Sequence, residues 1–209
     1  MASATSRRHG YHHGNLRQAL LETGLELTRT GGPSALVLRD AARRVGVSPN
    51  AAYRHFADRE ALLNAVAVEI QQQMADRMKR YEARQGKGGR ASGSRAKLRA
   101  VGLGYIEFAI TEPGWFETAF ADIQPIDPLR PTAVPAPLRL LVAALDGLVA
   151  EDDLAPAARD GAEWPCWSAV HGFALLVLHG PLRALPRERL HVSAERTVDA
   201  IIAGLLDAG

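Results

Sequence analysis

The sequence has almost no cysteine, no long apolar run and no stretch that alternates apolar and polar residues. Each absence removes a class of protein. Cys166 is the one cysteine, so no intrachain disulfide can form, which suits a reducing compartment. Every apolar run meets a charge or a proline well short of the ~18 residues that a membrane-spanning helix needs, so no membrane partner is expected. Met1 to Asn15 is polar and lacks the apolar stretch of a secretory signal, so the expected location is cytoplasmic. With no period-two segment, the expected fold class is all-α, with about nine helices. The phosphate-loop pattern G-x-x-x-x-G-K-[ST] is missing. His9, His12 and His13 have no carboxylate or cysteine beside them to complete a metal set. No metal site and no cofactor is implied.

What is present is a chain of 209 residues that is 47% apolar, long enough to bury a core. Its net charge of +2 is unevenly spread. Residues 1–60 carry nine Arg against five acids, a balance of +4, and the rest of the chain stands at −2. A basic front on a slightly acidic body points to a polyanionic partner for the front alone.

The densest pattern lies between Val37 and Leu63. Leu38, Ala41, Ala42 and Val45 repeat at helical spacing. Gly46 ends that helix, because glycine takes the left-handed conformation without steric cost. Ser48 then suits an N-cap and Pro49 a first helical position, opening a second helix of about two turns to His55. Two helices joined by so short a turn make a helix-turn-helix, whose second helix enters the DNA major groove. Asp58 caps a long helix running from Arg59 to about Gln85.

These residues resemble the DNA-binding core of the TetR family of bacterial repressors. The similarity lies in Ala41-Ala42, Val45-Gly46-Val47-Ser48, Tyr53-Arg54-His55-Phe56 and Asp58-Arg59-Glu60-Ala61-Leu62-Leu63, with Tyr11 to Leu27 resembling the family's first helix. It implies an N-terminal DNA-binding domain over residues 1–60, with the helix-turn-helix at 37–56. Residues 61–209 become a ligand-binding and dimerisation domain. It further implies a regulator, usually a repressor, whose partners are a palindromic double-stranded operator, a small-molecule effector and a second copy of itself.

On that reading Asn50, Ala51 and Arg54 face base edges: Asn pairs with adenine, Arg with guanine, and the Ala methyl meets thymine. Tyr53, His55 and Arg59 match the family's phosphate contacts, and Arg39, Arg43 and Ser48 complete the expected DNA surface. Two positions depart from the family. Val37 replaces the usual capping Thr and has no oxygen to offer, and Arg59 replaces the usual Lys. Arg7 and Arg8 suit an arm reaching a DNA groove.

Beyond the reader, Gln85 to Ser94 is Gly/Ser-rich and basic and is expected to be a loop. Arg95 to Thr111 is apolar on nearly every side, the mark of a buried helix, with Glu107 facing solvent or a cavity. Asp122 to Pro137 holds five prolines and is expected to be irregular. Further helices are expected at Leu138 to Val149, Ala155 to His179 and within Pro186 to Asp207. Trp167 with His171-Gly172 resembles the Trp…His-Gly element of one branch of TetR-type C-terminal domains. An apolar or aromatic ligand is expected against Tyr105, Phe108, Phe116, Phe120, Trp167 and His171, since apolar walls with few polar groups are typical of small-molecule sites. No catalytic residue is assigned. The competing classes are an enzyme in which Glu163 or Glu107 orients His171 as a base, and a helical adaptor that keeps the helix-turn-helix as scaffold.

Overall fold

A computed structural model describes residues 16–86, 93–121 and 134–207. The N-terminal arm, residues 87–92 of the expected loop and most of the proline-rich segment lie outside these. Ten α-helices follow in order: α1 Leu16–Gly31, α2 Leu38–Val45, α3 Pro49–Tyr53, α4 Arg59–Gly86, α5 Ser94–Thr111, α6 Pro113–Ala119, α7 Ala136–Ala150, α8 Pro156–Arg159, α9 Glu163–Leu178 and α10 Arg187–Asp207. Two 3₁₀ turns, Pro33–Ala35 and Pro181–Ala184, join α1 to α2 and α9 to α10. Among the described residues there is no strand, and no helix is long and apolar enough to cross a membrane.

α1, α2 and α3 close around Leu20, Leu36, Leu38, Ala42, Ala52 and Phe56, and the start of α4 adds Leu62 and Val66 to the same core. α4 then runs on without a break, so residue 61 lies inside a helix rather than in a linker. Its later residues Ile70, Met74 and Met78 pack into the second part of the molecule. There α5 is the central helix, in contact with α4, α6, α7, α9 and α10. That position explains its apolar sequence, because every side of it meets another helix.

Several expected boundaries differ. α3 ends at Tyr53 rather than His55, and α5 begins at Ser94, inside the expected loop. The helix expected over Ala155 to His179 is broken into α8 and α9, because Gly161 takes φ 69° between them. α9 tolerates Pro165 because its third residue needs no intrahelical N–H partner. α7 also starts earlier than expected, at Ala136, with Pro137 in its first turn. Proline there removes only an N–H that had no partner.

Candidate nucleic-acid interface and ligand site

The helix-turn-helix is built by local bonds. Gly46 takes φ 81° and ψ 27°, its N–H donates to the Arg43 carbonyl, and Val47 N–H donates to that of Ala42. Ser48 Oγ then accepts from Ala51 N–H at 3.3 Å and caps α3. Ala41, Ala42, Ala52 and Phe56 are the buried anchors. The rest of α3 therefore faces outward. Arg39, Arg43, Ser48, Asn50, Tyr53, Arg54 and His55 are exposed and Ala51 is half-buried.

The two aromatic residues separate cleanly. Phe56 is buried beneath the Arg17 guanidinium, 5.1 Å from its ring centre, and packs the domain. Tyr53 is 42% exposed and free to present its hydroxyl. Arg43 pairs with Asp40 at 3.0 Å, but both are exposed. Such a pair is worth about 0–1 kcal/mol, so it holds the Arg43 side chain only weakly. Arg59 is different. Its Nε donates to Leu36 O at 2.8 Å and its Nη2 to Pro33 O.

The junction between the two halves of the chain, at Glu112-Pro113-Gly114, is not among the site residues expected from the sequence. Glu112 is 6% exposed and is the hub of an ion-pair network. Arg29 of α1 binds it with both prongs of its fork, Nε at 2.8 Å and Nη2 at 2.7 Å, and Arg77 of α4 adds a third bond at 2.8 Å. Hydrogen bonds from Arg29 hold the Glu112 carboxyl below its ordinary value, burial works against this, and Arg77 adds to the lowering. Trp115 lies under both guanidinium groups, at 5.0 and 5.8 Å, and its Nε1 donates to Leu25 O at 2.8 Å. Gly114 permits this approach, since a Cβ there would sit 2.5 Å from Arg29 O and 2.6 Å from Thr28 O. The available signal was an acid set between two strongly apolar helices, where it needs a partner if buried.

The next turn of α6 faces the other way, into an aromatic cluster. Tyr105 of α5, Phe116 of α6, Phe120 at its C-terminal end and Trp167 and His171 of α9 come together, with ring centres 5.0 Å apart for Phe116–Phe120 and 5.3 Å for both Tyr105–Trp167 and Phe120–His171. Tyr105 Oη and His171 Nδ1 share a hydrogen bond of 2.8 Å. Burial pushes the phenol well above its ordinary value and the imidazole below its own, so both are neutral near pH 7. Beside Tyr105 and Trp167 lies a small apolar cavity of about 20 Å³, lined by Leu141, Cys166, Val170 and Ile202 among others. A molecule much larger than water would enter here only by moving rings.

Five of the six expected ligand residues are thus one cluster. Phe108 is apart from it: its ring stacks with Arg77, 5.4 Å away, on the α4 side of α5. Glu107 lies in surface clefts with Arg84 and Tyr81 and does not reach the cluster. Glu163 is held by Arg159 at 2.8 Å. His171 is therefore oriented by a phenol, and neither carboxylate forms the base–orienter pair that an enzyme reading requires.

Residues 20–66 match the model of bacterial regulatory proteins of the tetR family, and residues 98–201 match the tetracyclin repressor-like C-terminal domain. The chain belongs to the TetR family. It is a DNA-binding transcriptional regulator of the ligand-responsive kind and not an enzyme. No curated protein sequence matches it. Among solved structures, a TetR-like fold recurs in a protein of unknown function from Rhodococcus sp. RHA1, 26% identical over 94% of this chain and 98% of that one, with a TM-score of 0.71. A transcriptional regulator from Pseudomonas aeruginosa PAO1 is 16% identical, covering 95% and 96%, with a TM-score of 0.65. A TetR variant from Acinetobacter baumannii AYE in complex with minocycline is 18% identical, covering 90% and 94%, with a TM-score of 0.61.

Proposed function

We propose that this TetR-family chain is a repressor that binds a palindromic operator as a homodimer and is released by an apolar or aromatic small molecule. The observation that carries the proposal is α6. One face holds Glu112 and Trp115 against α1 and α4 of the reader, and the other holds Phe116 and Phe120 against Tyr105, Trp167 and His171. A ligand that parts those rings moves α6, and α6 cannot move without disturbing the reader's first helix. The ligand shifts the equilibrium only by its difference in affinity between the two states. The neutral Tyr105–His171 pair favours uncharged aromatic compounds with one polar group over anions, which would lose hydration there with no cation to compensate.

Base contacts are assigned to Asn50, Ala51 and Arg54, and phosphate contacts to Arg39, Arg43, Ser48, Tyr53 and His55. Dimerisation is assigned to α9 and α10, which pack on each other and leave Trp164, Leu175, Leu176 and Val192 exposed. A second copy would bury this face and set two readers side by side, each too short for specificity alone. The test is a salt titration of binding to palindromic DNA taken from the flanks of the protein's own coding region, with and without a panel of aromatic compounds. Salt-sensitive binding relieved by an uncharged aromatic supports the proposal. Binding that no compound relieves removes the effector half of it.

A further inference from the structure

The start of α2 has no side-chain cap. Val37 stands at the N-cap position in extended backbone, φ −122° and ψ 121°, and offers no oxygen to the first-turn amides. The next two helices are capped, α3 by Ser48 and α4 by Asp58, whose Oδ1 accepts from Ala61 N–H at 2.7 Å. Arg59 instead grips the chain that leads into α2. Its Nε donates to the carbonyl of Leu36, the residue just before Val37, and its Nη2 to that of Pro33. These two carbonyls bracket the 3₁₀ turn that feeds α2, and Arg59 is itself the first residue of α4. One planar fork therefore ties the turn, the start of α2 and the start of α4. A lysine ammonium is a point donor without the fork that holds two carbonyls at once.

We propose that Arg59 is a positioning residue for DNA binding: it clamps the chain leading into α2 where the side-chain cap is missing, and so sets how α2 and α3 are presented. This rests on the DNA-binding reading above. It differs from a phosphate contact, because the guanidinium spends its Nε and one Nη on backbone carbonyls, and its influence on DNA passes through α2. Val37 is 43% exposed, so a threonine of the same shape can be placed there to restore a cap.

The experiment compares the full chain with Arg59→Lys, Arg59→Ala and the double variant Val37→Thr/Arg59→Lys. Amide hydrogen exchange is read in the free protein at Ala41, whose N–H makes the first bond of α2 to Val37 O at 3.0 Å. Binding to the operator fragment is read against salt. Loss of the fork should speed Ala41 exchange roughly tenfold in Arg59→Lys. It should also weaken DNA binding while leaving the slope of log K against log salt unchanged in both single variants. Val37→Thr should recover most of both losses. Wild-type exchange and affinity in Arg59→Lys would overturn the proposal. So would a slope flattened by about 0.9 in Arg59→Ala with normal exchange, the signature of a direct phosphate contact. If the wild type binds no DNA at all, the DNA reading fails, while the exchange comparison still decides whether the clamp exists.

Discussion

Replacing Glu112 with Gln removes the charge from the junction of the two halves while keeping its size and one acceptor oxygen. Three charge-assisted bonds converge on that carboxylate, two from Arg29 and one from Arg77. Breaking a fully buried pair costs about 3–5 kcal/mol. Here the arginine side chains keep 53% and 33% of their exposure and can rehydrate, so the loss falls lower. Exposed pairs contribute about 0–1 kcal/mol, and this site lies between the two cases, at about 2–3 kcal/mol. For a chain of this size each kcal/mol moves Tm by about 2–4 °C, so Glu112→Gln should lower Tm by roughly 4–12 °C. Acid should act similarly. The folded state holds the Glu112 pKa below its unfolded value, so its contribution is complete above the unfolded value and disappears as pH falls through the folded one. The wild type should lose Tm over that acid range and Glu112→Gln should lose less. Because the same residue joins α6 to α1 and α4, the variant should also need a different effector concentration for release from DNA. A Tm within about 1 °C of wild type, with unchanged release, would refute the claim that this junction holds the halves together.

Other outcomes follow from the two sites. Asn50→Ala or Arg54→Ala should relax preference at particular operator bases, by about 1–3 kcal/mol where the contact is bidentate, while Tyr53→Phe should weaken all sequences alike. Operator-variant binding curves distinguish these. Trp167 sits in the aromatic cluster, Trp164 is half exposed and Trp115 reports on the junction, so a releasing compound should change tryptophan emission and Trp167→Phe should reduce that change. Leu176→Glu places a charge on the exposed face of α9 and should shift sedimentation from dimer to monomer without lowering helical content.

The reader was legible because its determinants are local. The glycine at position 46, the serine and proline at 48–49 and the aspartate at 58 each act within four residues, and the structure shows each in place. The aromatic cluster was legible as a composition but not as a geometry. An apolar-all-round helix such as α5 gives no period from which to tell that Tyr105 faces α9 while Phe108 faces α4. The α9 residues Trp164, Trp167, His171 and Leu175 show the same limit: they share a helical stripe that runs along the edge of the core, so Trp167 and His171 turn inward while Trp164 and Leu175 remain exposed. The Glu112–Arg29 pair joins residues 83 positions apart, and no pattern within either helix marks the other as its partner.

The most direct measurement is footprinting of the operator fragment together with sedimentation of the same complex. A pair of reading helices related by a two-fold axis should protect two inverted half-sites whose centres lie about one helical turn apart, roughly 34–36 Å, or somewhat more, with two chains or a multiple of two on each site. A single chain protecting one non-repeated site would contradict the account.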